Sequence, residues 1–215
     1  MITKFLLRKS VWLIALFITS ALTAHTQEYE FYNFVLTEDG SGYIVYPNPE
    51  VSYEGELIVP AIRESDSLPV VGVDGFSYNE RLLAIRFEEG SQVKYIGSFQ
   101  GCTGIEFCDL PESVETLGNY AFYGCTMLRD LTLNKNLKNI GISCFEYCTS
   151  LESITLPKSL KVIRENAFRC CTGLRSVVFE DGMDLYTNGL YVARCKKIRQ
   201  RLLQEDYHFR VLPAR

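Results

Sequence analysis

Cysteine is the residue type in this sequence with the widest choice of chemistry. The chain of 215 residues contains eight cysteines, and thiols can pair as disulfides, bind zinc or act as nucleophiles. Five of them recur at intervals of 23 residues, the last interval being one residue longer: Cys102, Cys125, Cys148, Cys171 and Cys195. A fixed interval indicates one structural position that is repeated along the chain.

The positions of the cysteines and histidines along the chain give little support to zinc binding or to catalysis. No Cys-x-x-Cys pair is present, and Cys170 and Cys171 are adjacent, whereas structural zinc sites use spaced pairs. The two histidines are His25 and His208, so a Cys–His pair would have to use His208, with Cys195 the nearest partner in sequence. No phosphate-binding or calcium-binding loop pattern occurs. We therefore predict no catalytic residue, no metal site and no cofactor.

The remaining choice is between disulfides and free thiols. Cys144 occupies the position of Ala121 and Ala167 in neighbouring repeats, which is a place for a small buried group that a free thiol fills well. Equivalent residues of stacked repeats would lie about 4.8 Å apart, but their parallel Cβ bonds are poorly placed for a disulfide. We predict mostly reduced, buried thiols.

Residues 105–179 contain one unit of 23 residues written three times. We use the word column for the residues at equivalent positions in successive repeats. A period of this size is typical of a solenoid, in which each unit buries its apolar face only by stacking on its neighbours. Besides the cysteines, the columns that are identical throughout include Leu110, Leu133 and Leu156; Phe122, Phe145 and Phe168; and Leu128, Leu151 and Leu174.

The unit from Leu151 to Leu174 predicts how each repeat folds. Ile154 and Leu156 have the two-residue spacing of a strand, and Pro157 ends that strand because it has no N–H to donate. We predict a continuous parallel sheet on one side of a β-rich solenoid, with turns, short strands or 3₁₀ pieces on the other. Its strands include residues 107–110, 130–133, 153–156 and 176–179.

The unit resembles the BspA-like leucine-rich repeat family. The resemblance rests on the pattern LxxIxL, on LP after the strand and on AFxxCxxL, and it covers roughly residues 55–198. It implies a leucine-rich repeat solenoid in a bacterial protein that is secreted or carried on the cell surface. Adhesion to host or matrix proteins is the family role that it implies.

The chain divides into four segments. Residues 1–24 have the pattern of a signal peptide, with basic Lys4, Arg8 and Lys9 before an apolar stretch that is shorter than the roughly 20 residues of a membrane span. A signal anchor is the alternative. Once the signal is removed, no other stretch reaches transmembrane length.

The rest of the chain forms the solenoid and its ends. Two β-prone runs around the turn residues 38–42 predict a capping hairpin in residues 25–56. About six repeats of 23 residues follow in residues 57–198. Residues 199–215 match no repeat, and we interpret them as a C-terminal cap or an irregular last turn.

Charge narrows the choice of partner. The formal net charge is −4, and a net acidic chain disfavours nucleic acid as the main partner. A basic run near the C-terminus offers an alternative site for a polyanion. It consists of Arg194, Lys196, Lys197, Arg199 and Arg201.

The outward positions of the strands give the candidate binding residues. One outward column, Glu106, Arg129, Glu152 and Arg175, alternates in sign and predicts a cross-strand charge ladder. The other outward columns, one of which begins at Ala84, are mostly short and polar, with Phe107 as the one large apolar group. The candidates for ligand binding are Arg86, Phe107, Asp109, Asp130, Thr132, Ser153 and Thr155.

These features predict a non-enzymatic, secreted or cell-surface module that binds a host or matrix protein through its exposed sheet. The alternative is a periplasmic or surface glycan-binding accessory protein. That alternative would require several exposed aromatic side chains on one face, of which the pattern shows only Phe107.

Overall fold

The computed structural model describes residues 31–180, 186–187 and 210–211. The chain forms a solenoid in which each repeat contributes one strand to each of two sides. We call the two sides the front sheet and the back sheet. Residues 32–180 contain strands and turns and no helix, so the predicted short strands and turns are confirmed and the 3₁₀ pieces are not observed there.

The strands alternate between the two sides along the chain from β3 onward. The front sheet contains β3 (Gly55–Val59), β5 (Leu82–Phe87), β7 (Phe107–Asp109), β9 (Asp130–Thr132), β11 (Ser153–Leu156) and β13 (Ser176–Phe179). The back sheet contains β1 (Tyr32–Leu36), β2 (Tyr43–Pro47), β4 (Val70–Val73), β6 (Tyr95–Ile96), β8 (Thr116–Leu117), β10 (Asn139–Ile140), β12 (Val162–Ile163), β14 (Tyr186–Thr187) and β15 (Arg210–Val211).

The front sheet is not continuous, contrary to the sequence prediction. It consists of a four-stranded part, β3-β5-β7-β9, and a two-stranded part, β11-β13. The amide of Arg129 donates to the carbonyl of Glu106 before β9, and that of Arg175 donates to Glu152 before β13. The amide of Glu152 makes no equivalent bond to Arg129 within the described residues, which leaves β9 and β11 adjacent but unpaired. At this point the two repeats are joined by the back-sheet pairing of β10 with β12 and by buried side chains.

The predicted N-terminal hairpin is confirmed. β1 and β2 pair in antiparallel fashion, and the turn between them closes with a bond of 2.9 Å from the Thr37 amide to the Gly42 carbonyl. Gly40 has a φ of 69°, a conformation that glycine adopts without steric cost. β2 then pairs in parallel with β4, so the hairpin covers the open end of the back sheet.

A stack of phenylalanine rings forms the centre of the core. Neighbouring ring centroids are 5.2–6.0 Å apart and the ring planes differ by at most 17°. All five rings are buried. We call this stack the phenylalanine spine, and it consists of Phe76, Phe99, Phe122, Phe145 and Phe168.

The cysteine column runs beside the phenylalanine spine, and its predicted burial is confirmed for the four members that the structure describes. Each thiol donates a hydrogen bond to the carbonyl of the spine phenylalanine 26 residues earlier, with S···O distances of 2.9–3.4 Å. Cys148, for example, donates to Phe122. The fifth member, Cys195, lies outside the described residues. The thiol thus fills space and also satisfies a buried backbone acceptor of the preceding repeat.

Side-chain amides and hydroxyls make similar bonds at the turns after β9 and β11. Asn134 stands where other repeats have Pro111 and Pro157, and its amide donates to the carbonyls of Pro111 at 2.8 Å and Val114 at 3.0 Å. The hydroxyl of Ser159 donates to the carbonyl of Leu137 at 2.7 Å. Buried carbonyls at the turns are therefore satisfied across repeats, as buried polar groups generally are.

Phe145→Ala is expected to lower the free energy of unfolding by about 3–5 kcal/mol, because it removes a buried ring that stacks on both Phe122 and Phe168. Phe145→Leu is the matched control, since leucine refills much of the space and the loss should be smaller. Chemical denaturation followed by circular dichroism measures both. An unchanged midpoint for Phe145→Ala would contradict the position of this ring in the spine.

Candidate functional site

Arg86 lies at the centre of the most elaborate side-chain cluster on the outward face of the front sheet. From β5 it reaches over both neighbouring strands. Its Nε lies 3.2 Å from Oε1 of Glu56 in β3, and its Nη1 lies 2.7 Å from Oδ2 of Asp109 in β7. The two ion pairs fix the direction of a long side chain that remains partly exposed, although each such pair contributes only about 0–1 kcal/mol.

Phe107 packs against the same guanidinium. The Cζ atom of Arg86 lies 4.7 Å from the centroid of the Phe107 ring, a cation–π geometry that contributes about 0.5–1 kcal/mol at exposed sites. Phe107 is half-buried. One face of its ring is therefore covered by the chain's own arginine.

Exposed aliphatic side chains lie on this face as well. Ile58 stands opposite Arg86 in the strand register and is 51% exposed, and Leu83 is 50% exposed. The prediction that Phe107 is the one large apolar group of the face is therefore wrong. We define the front patch as Glu56, Ile58, Arg86, Phe107 and Asp109.

Sequence reasoning missed Glu56 and Ile58, although a signal for them was present. They alternate with the buried Leu57 and Val59 along β3, as outward positions of a strand must. The outward columns that we predicted began one strand later, at β5.

The other predicted residues lie progressively further from Arg86. Asp130 is opposite Phe107 and Thr132 is opposite Asp109 in the register of β7 and β9, so both continue the front patch, and Thr132 is exposed. Ser153 and Thr155 are exposed on β11, beyond the break in the sheet. The structure therefore brings five of the seven candidates onto neighbouring paired strands and leaves two apart.

Two further expectations about outward residues are corrected. Ala84 is buried, with 1% of its surface exposed, because this short side chain lies between Glu56 and Phe107 in the register. The charges of Glu106, Arg129 and Glu152 alternate as predicted, but these three residues form no ion pair within the described residues. Exposed charges in water gain too little from pairing to require it.

A groove of about 520 Å³ runs along the back sheet. Its polar side chains come from successive repeats, and the amide of Asn139 donates to the hydroxyl of Thr116 at 3.1 Å. Among the described residues no Asp, Glu, His or Cys lines it, so these residues give the groove no carboxylate or imidazole base and no thiol. Its polar lining consists of Tyr95, Thr116, Asn119, Asn139 and Arg164.

The buried thiols are poor candidates for chemistry. Burial raises the pKa of the Cys102 thiol to about 11, and it raises the pKa of Cys144 further still. A thiol with a raised pKa stays protonated at neutral pH, and the thiolate is the nucleophilic form. Within residues 31–180 no three or more His, Cys, Asp or Glu side chains come together in a way that could hold a metal ion.

Three predictions fall outside the part of the chain that the structure describes. These are the signal peptide of residues 1–24, the basic run of residues 194–201 and most of the C-terminal segment of residues 199–215. Within the described ranges, none of the chain forms a helix with the length and apolar character of a membrane span.

Comparison with known sequences gives a family match over most of the solenoid. The family described as BspA type leucine-rich repeat region matches residues 65–200 in six copies. A search of curated proteins finds no match.

Comparison with solved structures gives bacterial proteins of the same architecture. The T. pallidum leucine-rich repeat protein TpLRR is 21% identical, with a TM-score of 0.61, over 86% of this chain and 98% of its own. A leucine-rich repeat protein from Bacteroides ovatus is 25% identical, with a TM-score of 0.61, over 76% of this chain and 44% of its own. A leucine-rich cell surface protein from Faecalibacterium prausnitzii is 20% identical, with a TM-score of 0.56, over 74% of this chain and 44% of its own. The chain thus spans less than half the length of the last two.

Titration with a thiol reagent, without reductant, tests the cysteine assignment. We expect most thiols to react after denaturation and few in the folded protein, because Cys102, Cys125 and Cys148 are buried. The half-buried Cys170 is expected to react first among the described cysteines, so Cys170→Ser should slow the early phase. A failure of the thiol count to rise on denaturation would show that the column is disulfide-bonded.

Proposed function

This chain belongs to the BspA-type leucine-rich repeat family, and on that basis we propose that it is a protein-binding module that works by adhesion, through its front sheet, to a host or matrix protein. We further propose that it is secreted or carried on the bacterial cell surface. Leucine-rich repeats serve generally as scaffolds for protein interaction, and BspA-type members are typically surface or secreted proteins. Function resides in the surface residues rather than in the fold, so the proposal depends on the front patch.

The observation that carries the proposal is the arrangement of Ile58 and Phe107 on either side of Arg86. Binding hot spots in protein interfaces are enriched in aromatic residues and arginine, and they are surrounded by groups that exclude water. Here Arg86 is already oriented by Glu56 and Asp109, so little side-chain entropy remains to be lost on binding. The exposed Ile58 supplies apolar area beside it.

The strands of the front sheet support the same proposal, because they hold the patch at fixed spacing. β3, β5, β7 and β9 are hydrogen-bonded to one another in parallel. The outward residues of successive strands therefore keep their positions without a partner, which favours binding by a preformed surface. Asp109 and Thr132 supply polar groups at the edge of the apolar contacts.

We propose a non-enzymatic role. The described thiols of the cysteine column are buried, and burial raises the pKa values of Cys102, Cys125 and Cys148. Within the described residues, no carboxylate or imidazole lines the back groove. Arg86 and Asp109 on the front sheet are ion-paired, and Thr132, Ser153 and Thr155 are exposed hydroxyl groups. This arrangement suits recognition better than acid–base chemistry, which requires a positioned group close to the reacting atoms.

A glycan is the weaker partner for the front sheet. The ring of Phe107 is the aromatic group of the front patch, and Arg86 occupies one of its faces. The neighbouring apolar groups, Ile58 and Leu83, are aliphatic. The front patch therefore favours a protein.

The test compares variants of the full-length protein on immobilised matrix proteins such as collagen and laminin. Ile58→Ala combined with Phe107→Ala should weaken binding at least tenfold, because it removes the apolar contacts while Arg86 keeps its carboxylate partners. Val178→Ala, an exposed apolar change at the far end of the same face, is the matched control and should bind normally. Biolayer interferometry measures binding, and thermal unfolding verifies that each variant is folded.

Full affinity in the double variant would contradict a site on the front patch. If charge-removing changes at Lys196 and Lys197 abolished binding instead, the site would lie in the basic run, and a polyanion would be the better ligand.

A further inference from the structure

A second surface, separate from the front patch, lies on the turns between the phenylalanine spine and the cysteine column. One column of these turns has left-handed backbone in each of the five repeats where the structure describes it, with φ between 58° and 72°. Its members, 23 residues apart, are Tyr78, Gly101, Gly124, Tyr147 and Cys170. Glycine adopts this conformation freely, whereas bulky residues rarely do. The two tyrosines thus occupy positions where the same column accepts glycine.

Tyr78 presents an open and oriented aromatic face. Its ring lies against the backbone of Gly101, where a Cβ atom would come within 2.6 Å of the ring carbon Cδ1. The other side of the ring faces solvent, and the residue is 71% exposed. Gln100 fixes the ring, because its side-chain amide donates to the phenol oxygen at 2.8 Å and its carbonyl accepts the Tyr78 amide at 2.6 Å.

Three more tyrosines continue this surface. Tyr123 makes edge-to-face contacts with Tyr120 at 6.0 Å and with Tyr147 at 5.6 Å between ring centroids. Tyr120 is 43% exposed and Tyr147 is 38% exposed. Desolvation raises the pKa of Tyr123. The amide of Gly101 donates to the carbonyl of Tyr123 at 2.7 Å, so Tyr123 adjoins the glycine on which the ring of Tyr78 packs. We call Tyr78, Tyr120, Tyr123 and Tyr147 the tyrosine cluster.

Two ionic groups next to the tyrosine cluster, Glu146 and Arg169, neutralise each other. Glu146 is buried and accepts a hydrogen bond of 2.6 Å from Nη1 of Arg169. The phenols are neutral at physiological pH, so the cluster offers aromatic faces, hydroxyls and one amide without net charge. Such a surface has no electrostatic preference for a polyanion or for a charged peptide segment.

We propose that the tyrosine cluster binds a neutral carbohydrate chain. A sugar ring combines an apolar C–H face with a rim of hydroxyls, and the cluster matches both features. The apolar face stacks on the open side of the Tyr78 ring, the side that faces away from Gly101. The phenol hydroxyls, which both donate and accept, exchange hydrogen bonds with the sugar hydroxyls. Tyr147, three repeats along the same column, offers a second partly exposed aromatic ring to a chain of several sugars.

Affinity electrophoresis of the full-length protein tests this proposal. Native gels contain dextran, mannan or a β-1,3-glucan as neutral probes, and polygalacturonate serves as the acidic control. We expect at least one neutral polysaccharide to retard the protein. Tyr78→Gly combined with Tyr147→Gly removes both rings while keeping a residue that suits the left-handed backbone, and it should weaken retardation at least tenfold. Tyr78→Phe retains the stacking face and should retain most of the binding.

The control variant is Val35→Ala, an exposed apolar change in the N-terminal hairpin, which should migrate like the unaltered protein in every gel. Unfolding midpoints of the glycine variants should be equal to or above that of the unaltered protein, because backbone strain is relieved. The proposal is wrong if no neutral polysaccharide retards the protein, if only polygalacturonate does, or if the double glycine variant is retarded normally. The proposal is also wrong if the double glycine variant loses binding to matrix proteins while no polysaccharide changes the migration of the protein. That result would assign the tyrosine cluster to a protein partner.

Discussion

The stacking of each spine phenylalanine on the next is the contact on which the rest of the structure depends. A repeat of this size cannot enclose a core by itself, so Phe122 is buried only because Phe99 and Phe145 lie on either side of it. The thiol of Cys148 adds a directional bond to the carbonyl of Phe122. Ring stacking and this bond fix both the distance and the rotation between repeats. The outward strand residues and the tyrosines of the turns take their positions from that geometry.

Most of the fold could be predicted because several columns have the same residue in successive repeats. Phe145 and Cys148 have the same residue 23 positions before and after them, and only a buried, stacked position explains such uniformity. The hairpin was predictable from local turn residues around Gly40. The break between β9 and β11 was not, because it depends on one backbone hydrogen bond at Glu152 that the hydrophobic pattern does not encode.

The candidate site was predictable in position more than in composition. Strand alternation placed Arg86, Phe107 and Asp109 on one face, but whether Arg86 lies on Phe107 or extends into solvent depends on side-chain rotamers.

The tyrosine cluster could not be predicted, for a different reason. Tyr78 and Tyr147 share a column with two glycines. In the sequence this column is typical of a variable turn, and only the backbone angles of its residues show that it is left-handed. The two surfaces differ in kind, since one is charged and aliphatic and the other is neutral and aromatic.

The equivalence of the repeat interfaces also bears on how the gene could change. Because Phe122, Phe145 and Phe168 make nearly the same contacts, an in-frame deletion of the segment coding for one repeat would bring Phe122 against Phe168 and restore the interface. A duplication of the same segment would insert one more repeat with matching interfaces, at little cost to folding. The surface residues would not be restored in the same way, since Tyr78 and Tyr147 would then be separated by fewer or more repeats. Recombination within such a gene can therefore alter what the protein recognises while leaving its core unchanged.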